Sequence, residues 1–421
     1  MSGLAVTFLL VMTVALLRAP RKWAMLPLLA GACYMTLGQR LELGPFTFTP
    51  LRILLAAGVI RVMSRRERVA GGLVFTDVLM LIWAGWAAFS SQFHEEPDQA
   101  LIFRLGMVYD ACGVFFLTRV FCGERADVIR LSKIIAILLV PVAVEMLFEQ
   151  LTVHNLFSVL GGVPDCPAIR EGRVRAQGPF AHAILAGTVG GSCLPMLVGS
   201  LGEQRRTALL GIVACCVMVV ASASSGPILT AVAGMAFLSL WYLRDRMHQI
   251  WWMVVLAYCA LDLVMKAPAY YIIARIDLTG GSTGWHRAAL IESAIKHIEE
   301  WWFIGTDYTR HWMPSGVSWN EYQTDITNYY IHLGVIGGLP LMVLFFVILV
   351  KAFRHIGPVV NEVLEPQSGC GQFPVWGMAA SLGAIAVTGI SVSFFDQSFL
   401  FLYMPLAICT SLGAVHRKGL L

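Results

Sequence analysis

Thr324-Asp-Ile-Thr-Asn-Tyr-Tyr-Ile-His332 runs without a break into Leu333-Gly-Val-Ile-Gly-Gly-Leu-Pro-Leu-Met-Val-Leu-Phe-Phe-Val-Ile-Leu-Val350. The second half is apolar and of the length that crosses a bilayer, for which about 20 mostly apolar residues are needed. The first half closes the longest polar interruption of the chain, roughly Ala267 to Asn328. A polar segment that feeds a membrane helix sets side chains with chemistry at a membrane face, and this junction orders the reading of everything else.

Outward from the junction the chain is apolar. Of its 421 residues, 57% are hydrophobic and 13% charged, too little charge to coat a soluble protein of this size. Apolar windows fall at roughly 3–17, 23–39, 46–62, 72–90, 101–121, 133–152, 180–200, 207–222, 226–243, 248–265, 327–350, 374–393 and 397–414. The expected fold class is therefore all-α, a polytopic membrane protein of about 12–13 transmembrane helices. Residues 1–421 read as a single membrane domain, with 267–326 a large loop inside it. The first two windows share a short linker, and a shallow hairpin there lowers the count. Arg18-Ala-Pro-Arg-Lys22 follows the first window with no small-residue cleavage site, so no cleaved signal is expected.

Basic residues gather after alternate windows, at Arg18/Arg21/Lys22, Arg61/Arg65/Arg66/Arg68, Arg119/Arg125/Arg130/Lys133, Arg205/Arg206, Arg244/Arg246, Lys351/Arg354 and Arg417/Lys418. The positive-inside rule makes these loops cytoplasmic. The segments His94–Gln99, His154–Gly178, Ala221–Gly226, Ala267–Asn328 and Phe394–Gln397 are then external. The net charge of +4 carries information only through this distribution, and no nucleic-acid partner is expected. There is no GxxxxGK[ST] loop and no GxGxxG after a strand, which argues against direct use of cytoplasmic ATP. The ten cysteines show no CxxC or Cys/His spacing, so neither metal nor cofactor is expected.

Three constellations carry candidate chemistry. Asp165–Phe180 reads DCPAIREGRVRAQGPF and sets Arg170, Arg173 and Arg175 on the external side, against the charge rule. In an extended segment Arg173 and Arg175 point the same way, and two guanidiniums grip a phosphate or diphosphate bidentately. A helix begins near Ala181 with His182 in its first turn, an anion-favouring terminus. The structural alternative is anchoring to lipid headgroups. In Gly284–Trp302, Ile291, Ala294, Ile295, Ile298 and Trp302 make an apolar stripe on a helix capped by Ser282 or Thr283 and lying on the outer membrane surface. Arg287 falls on its buried side and needs a counter-charge, either Glu145 or Glu149 or a ligand diphosphate. Finally Asp325, Asn328, Tyr329 and His332 follow i, i+3, i+4, i+7 and form one polar helical stripe. A carboxylate there is a candidate general base; the alternative is that Asp325 only caps the helix. The other ionisable groups in apolar windows, Arg52, Arg104, Asp110, Glu145, Glu149, Asp262 and Lys266, are expected mainly in structural pairs.

These motifs together resemble the O-antigen ligase and O-antigen polymerase family. Arg175-Ala-Gln-Gly-Pro-Phe-Ala-His182 is similar to its R-x-x-G-x-x-x-H/N-P signature. Arg287 to Gly305 is similar to its large periplasmic loop, and Thr324 to Gly337 to its H-N-x-x-L…G-x-x-G passage into the next span. The resemblance implies a GT-C-like helical fold and a metal-independent membrane glycosyltransferase of surface-polysaccharide assembly, in the bacterial inner membrane with its site facing the periplasm. It further implies a saccharide donor on undecaprenyl diphosphate, and a saccharide or lipid A core acceptor. Chain-length regulators or export proteins are the implied partners. Under it, Arg173, Arg175 and Arg287 hold the diphosphate and Asp325 or His332 is the base, with His182, Asn328, Tyr329 and Glu145 supporting. The chain departs from the pattern in having Thr327 where ligases carry the histidine of H-N, Trp302-Phe-Ile-Gly-Thr without the proline, and Ser224-Ser225-Gly226 in place of S-R-G. Two rival classes stay open: a transporter or flippase of lipid-linked saccharide, and a non-catalytic scaffold of an export complex.

Overall fold

Each of the thirteen apolar windows contains a helix. A computed structural model describes residues 1–275, 284–314, 316–318, 320–362 and 371–419. The chain begins with α1 (Gly3–Arg18) and α2 (Met25–Tyr34), then a small antiparallel hairpin of β1 (Leu41–Leu43) and β2 (Phe46–Phe48). Next come α3 (Pro50–Arg65), α4 (Phe75–Ser90), α5 (Pro97–Phe121) and α6 (Arg125–Thr152). A second hairpin, β3 (Ile169–Arg170) and β4 (Arg173–Val174), precedes α7 (Ala183–Gly199), α8 (Arg205–Ala221), α9 (Ser225–Ser239) and α10 (Met247–Val264). The large loop carries α11 (Ile272–Arg275), α12 (Gly284–Lys296) and α13 (Ile298–Trp301). The chain closes with α14 (Tyr329–Asn361), α15 (Gln372–Thr388) and α16 (Phe399–His416).

Five stretches are long and apolar enough to cross a membrane: Pro97–Phe121, Arg125–Thr152, Ser225–Val264, Tyr329–Asn361 and Phe399–His416. The protein is an all-α multi-pass membrane protein. Two windows differ from independent spans. Helix α2 rises only about 15 Å, half the hydrocarbon thickness. The windows at 226–243 and 248–265 lie in one helical stretch, α9 and α10 joined through a 3-10 turn at Leu240–Arg246. Helix α10 has no buried residue.

A single hydrophobic cluster extends from Leu16 to Leu412. Helix α7 is at its centre, against α8, α9 and α15. Its glycines make that possible: a Cβ on Gly190 would stand 2.9 Å from the Cys215 carbonyl oxygen, and one on Gly191 2.8 Å from that of Pro227. Without a hydrophobic drive between helices in lipid, such close packing holds them together.

The two ends of the bundle differ. At one end, buried arginines tie helix termini. Arg119 pairs with Asp77 at 2.9 Å and donates to the Ala70 and Gly72 carbonyls. Arg61 pairs with Glu67 at 2.8 Å and donates to the Leu16 and Ala19 carbonyls. Arg125 pairs with Glu362. At the other end the β3–β4 hairpin and the large loop enclose a polar cavity.

Helix α14 is broken near the cavity. Gly337 (φ −147°, ψ 24°) and Gly338 (φ 74°, ψ −177°) leave the helical conformation. The turn after α13 fills the gap: the Leu339 N–H donates to the Trp302 carbonyl at 2.8 Å, and the Thr306 N–H to the Val335 carbonyl at 2.9 Å. Trp86 Nε1 donates to the Gly337 carbonyl at 2.7 Å. An interrupted helix in a membrane protein survives where protein re-satisfies the freed groups, as here.

Candidate functional site

The cavity has a volume of about 1210 Å³ and opens at one end of the bundle. Its walls come from the start of α5, the β3–β4 hairpin, the starts of α7, α9, α12 and α14, and the loop before α16. Arg173, Arg175, His182, Arg287, Asp325 and His332 all line it, and so does Arg170. The structure thus brings together six residues separated by 159 positions in sequence (Arg173 to His332).

The segment Arg175–His182 is fixed by four side chains. Glu149 Oε2 accepts from the Gln177 and Gly178 N–H groups at 3.0 and 2.9 Å. Asn155 donates to the Gly178 carbonyl at 2.9 Å, and Gln397 to the Pro179 carbonyl at 2.8 Å. Asp396 accepts from the Ala181 N–H at 2.9 Å. Gly178 has φ +55°, and a Cβ there would lie 3.0 Å from Glu145 Oε2, so a side chain is disfavoured twice over. His182 Nδ1 caps α7 by accepting from the Ile184 N–H at 3.1 Å. Its ring is exposed on the cavity side. Partial desolvation by the surrounding protein, with Arg175 beside it, lowers its pKa to about 4.

Arginine charge is concentrated on this wall. Burial and neighbouring Arg170 disfavour the charge on Arg175. Burial, Arg170 and Arg175 disfavour that on Arg287, and Asp325 offsets part of it. The Nε groups of Arg175 and Arg287 are buried without a hydrogen-bond partner among the described residues. Arg170, Arg173, Arg175 and Arg287 line the cavity together with Glu171 and Asp325, a concentration of guanidinium groups that suits an anion. Glu145 and Glu149 are not the counter-charges of Arg287. Glu145 accepts from the Leu156 N–H at 3.2 Å, Glu149 serves the 177–178 backbone, and neither lines the cavity.

The loop helix is two helices, broken at His297. Its packed face is Arg287, Leu290, Ala294 and Trp301; of the expected stripe Ala294 is buried and Ile291 packs beside it, while Ile295, Ile298 and Trp302 are exposed. The break shifts the phase after Lys296, so Trp301 turns inward where Trp302 was expected. The cap assigned to Ser282 or Thr283 lies outside the described residues.

The expected helical stripe at the end of the loop does not form. Helix α14 starts at Tyr329, and Asn328 caps it, accepting from the Tyr330 and Ile331 N–H groups at 2.9 and 3.1 Å. Asp325 lies in extended chain: Ser318 and Thr324 form an antiparallel bridge, and the Asp325 N–H donates to the Val317 carbonyl. His286 Nε2 contacts the Asp325 carbonyl at 3.2 Å, which sets Asp325 beside Arg287. Tyr329 turns into the core, its hydroxyl 2.9 Å from that of Tyr403. Asn328 and Tyr329 are therefore structural. His332 faces the cavity, and its ring makes no hydrogen bond among the described residues.

A second polar group shares the cavity and was not anticipated as a unit. His94 Nδ1 contacts Asp307 Oδ1 at 2.5 Å, and Arg104 Nη2 reaches His94 Nε2 at 2.6 Å. Arg104 also donates to the Ile336 carbonyl, the last before the α14 break. The Glu95 N–H donates to Asp307, and the Tyr308 hydroxyl to Glu95 Oε2, both at 2.8 Å. Arg104 among the charged residues of apolar windows was the sequence cue; its two partners, His94 and the Ile336 carbonyl, come from separate segments. Arg52, by contrast, is in the expected structural pair, with Asp110 at 2.7 Å.

The fold and site define a multi-pass membrane protein with a cationic cavity at one end of its bundle. Residues 196–346 match the family described as "O-Antigen ligase". The matched region includes Arg287, Asp325 and His332; Arg173, Arg175 and His182 precede it. The match supports assignment to the O-antigen ligase/polymerase family, and with it an enzyme of ligase or polymerase type in polysaccharide assembly. No curated protein matches the chain.

Proposed function

We propose that the protein is a glycosyltransferase acting on the periplasmic face, which transfers or polymerises saccharide units carried on undecaprenyl diphosphate. The observation that supports this reading is the gathering of Arg170, Arg173, Arg175 and Arg287 in the lining of one cavity, close enough for Arg170 and Arg175 to disfavour the charge on Arg287. The donor diphosphate binds there. An acceptor hydroxyl oxygen attacks the anomeric carbon, the bond from that carbon to the diphosphate oxygen breaks, and the electron pair leaves with the diphosphate. The arginines stabilise that growing charge, the role a divalent cation takes in other transferases, and no metal is needed. His332 takes the hydroxyl proton; it lines the cavity, and its ring makes no hydrogen bond among the described residues. Asp325 balances Arg287. Direct displacement inverts the anomeric centre.

The experiment is analysis of lipid-linked intermediates and surface polymer in a deletion strain. Single repeat units held on the carrier identify a polymerase, and long polymer held on the carrier identifies a ligase. Unchanged intermediates and polymer would sink the reading. The broken α14 favours a second reading, a transporter, because discontinuous helices are typical of carriers. That reading requires lipid-linked saccharide to accumulate on the cytoplasmic face of the deletion strain.

A further inference from the structure

The cavity charges are sorted. Around the hairpin and α12, four arginines meet two carboxylates; around the α4–α5 turn and the turn after α13, one arginine (Arg104) meets three (Glu95, Glu96 and Asp307). A diphosphate site explains the first group and leaves the second without a purpose. We propose that the second group is the acceptor subsite and that it binds a saccharide unit bearing no negative charge. This rests on the transferase reading above.

Three features match that ligand. Glu95 and Asp307 offer acceptor oxygens for sugar hydroxyls, while their charge, with that of Glu96, repels a uronate or phosphate. Tyr308 and Tyr322 present rings packed edge to face at 5.6 Å, each exposed on the cavity wall. An aromatic face covers the C–H side of a sugar ring and leaves its hydroxyls to polar neighbours. Arg104 supplies the independent sign of a missing partner. It is only 3% exposed, its Nη2 is engaged by His94 and the Ile336 carbonyl, and its Nη1 is buried with no partner among the described residues. His94 contacts Asp307 through Nδ1 and both Arg104 Nη2 and the Ile304 carbonyl through Nε2, and so fixes the guanidinium in place. Nη1 is thus a donor left unsatisfied just behind the cavity wall that Arg104 helps to line.

The subsite also follows from the reaction. Donor and acceptor must occupy the cavity together, and His332 lines the same space. A cavity of about 1210 Å³ exceeds the upper end of ordinary small-ligand pockets, about 1,000 Å³.

The test uses the full chain in nanodiscs. The donor is lipid-linked saccharide extracted from the deletion strain, and the acceptor is saccharide released from the same pool by mild acid. Rates are measured against each concentration in turn. Glu95→Gln and Tyr308→Ala are expected to raise the acceptor KM about ten-fold, a charge-assisted hydrogen bond's worth, with the donor KM unchanged. Tyr308→Phe distinguishes recognition from mere support. It keeps the ring and loses the hydroxyl bond to Glu95, so near-normal acceptor KM is expected if stacking matters, and a defect equal to Tyr308→Ala if the bond only braces the turn. An unchanged acceptor KM in Glu95→Gln and Tyr308→Ala, a donor KM that rises instead, or a Tyr308→Phe defect as large as that of Tyr308→Ala, overturns the subsite while leaving the transferase reading intact. Absence of transfer by the wild-type protein overturns both. Attaching a uronic acid to the acceptor should abolish its use, and equal use of it also overturns the proposal.

Discussion

In the proposed mechanism Arg175 and His332 divide the work at the scale of single residues, and their substitutions separate charge from geometry. Arg175→Lys is expected to fail nearly as badly as Arg175→Ala, because a diphosphate held bidentately needs the planar fork. Either change should cost about 2–4 kcal/mol of transition-state stabilisation, read as kcat/KM in a transfer assay; full activity of the lysine variant would reduce Arg175 to a headgroup anchor. His332→Gln should lower kcat by about 10²-fold or more with normal donor binding. Asp325→Asn should leave helix α14 intact, since Asn328 and not Asp325 caps it, whereas Asn328→Ala should destabilise by about 1 kcal/mol. The sequence offered Asp325 as the cap, and the structure uses Asn328 instead. The choice is tertiary, because the 318–324 bridge holds Asp325 in extended chain. His182 gives a pH signature. Its folded pKa near 4 is below the usual value of about 6.5. Above pH 6.5 both states are neutral and nothing changes. As pH falls toward 4 the unfolded chain takes up a proton that the folded chain refuses, so stability is lost in that window. His182→Asn retains a capping oxygen and should flatten the melting temperature between pH 7 and 5; an unaltered slope counts against this account.

Among the elements, the loop helices and broken α14 form one device. Gly334 and Gly338 leave room for the chain between Trp301 and Ile304. A Cβ on Gly334 would come 2.5 Å from the Trp301 ring, and one on Gly338 2.1 Å from the Phe303 carbonyl oxygen, at φ +74°. Gly334→Ala must displace Trp301 and is expected to cost about 1–3 kcal/mol. Gly338→Ala meets backbone and a left-handed conformation together, so it should be the worse of the two, with poor expression and a lowered melting temperature. Equal stability of both variants and wild type would mean that the 302–306 turn is not docked in the break. The G-x-x-G spacing of Gly334 and Gly337 was visible in the sequence as a motif, but the need for glycine at Gly338 was not: only the folded loop shows which atoms stand over each glycine. Periodicity found the loop helix and placed Arg287 on its buried side. It missed the break at His297, because an apolar stripe alone does not say where tertiary contacts interrupt a helix.

For the whole molecule, hydropathy located the helices and charge asymmetry assigned the two ends. Length then altered the picture, since α2 is too short to cross alone and α9 continues into α10. The arginine wall could be assembled from sequence because its members sit in polar loops. The Glu95–Asp307–Arg104 group could not, because it is joined only when the turn after α13 docks against α14. The proposed mechanism stands on one global requirement, that the cavity end face the periplasm. The protein carries its own probe. Cys166 is exposed in the segment leading to the β3–β4 hairpin, at the cavity end. A membrane-impermeant maleimide added to spheroplasts should therefore label Cys166 without lysis, and Cys166→Ser should remove that signal. A reporter fused after Gly316 should agree, reading periplasmic, while one after Lys418 reads cytoplasmic. Those positions belong to opposite ends, since Ala414 and Val415 pack on Gly71 beside the Arg119 cluster. Labelling of Cys166 only after lysis would turn the cavity toward the cytoplasm. The arginines would then face the side on which lipid-linked saccharides are built, and transfer onto an exported polymer would have no site in this chain.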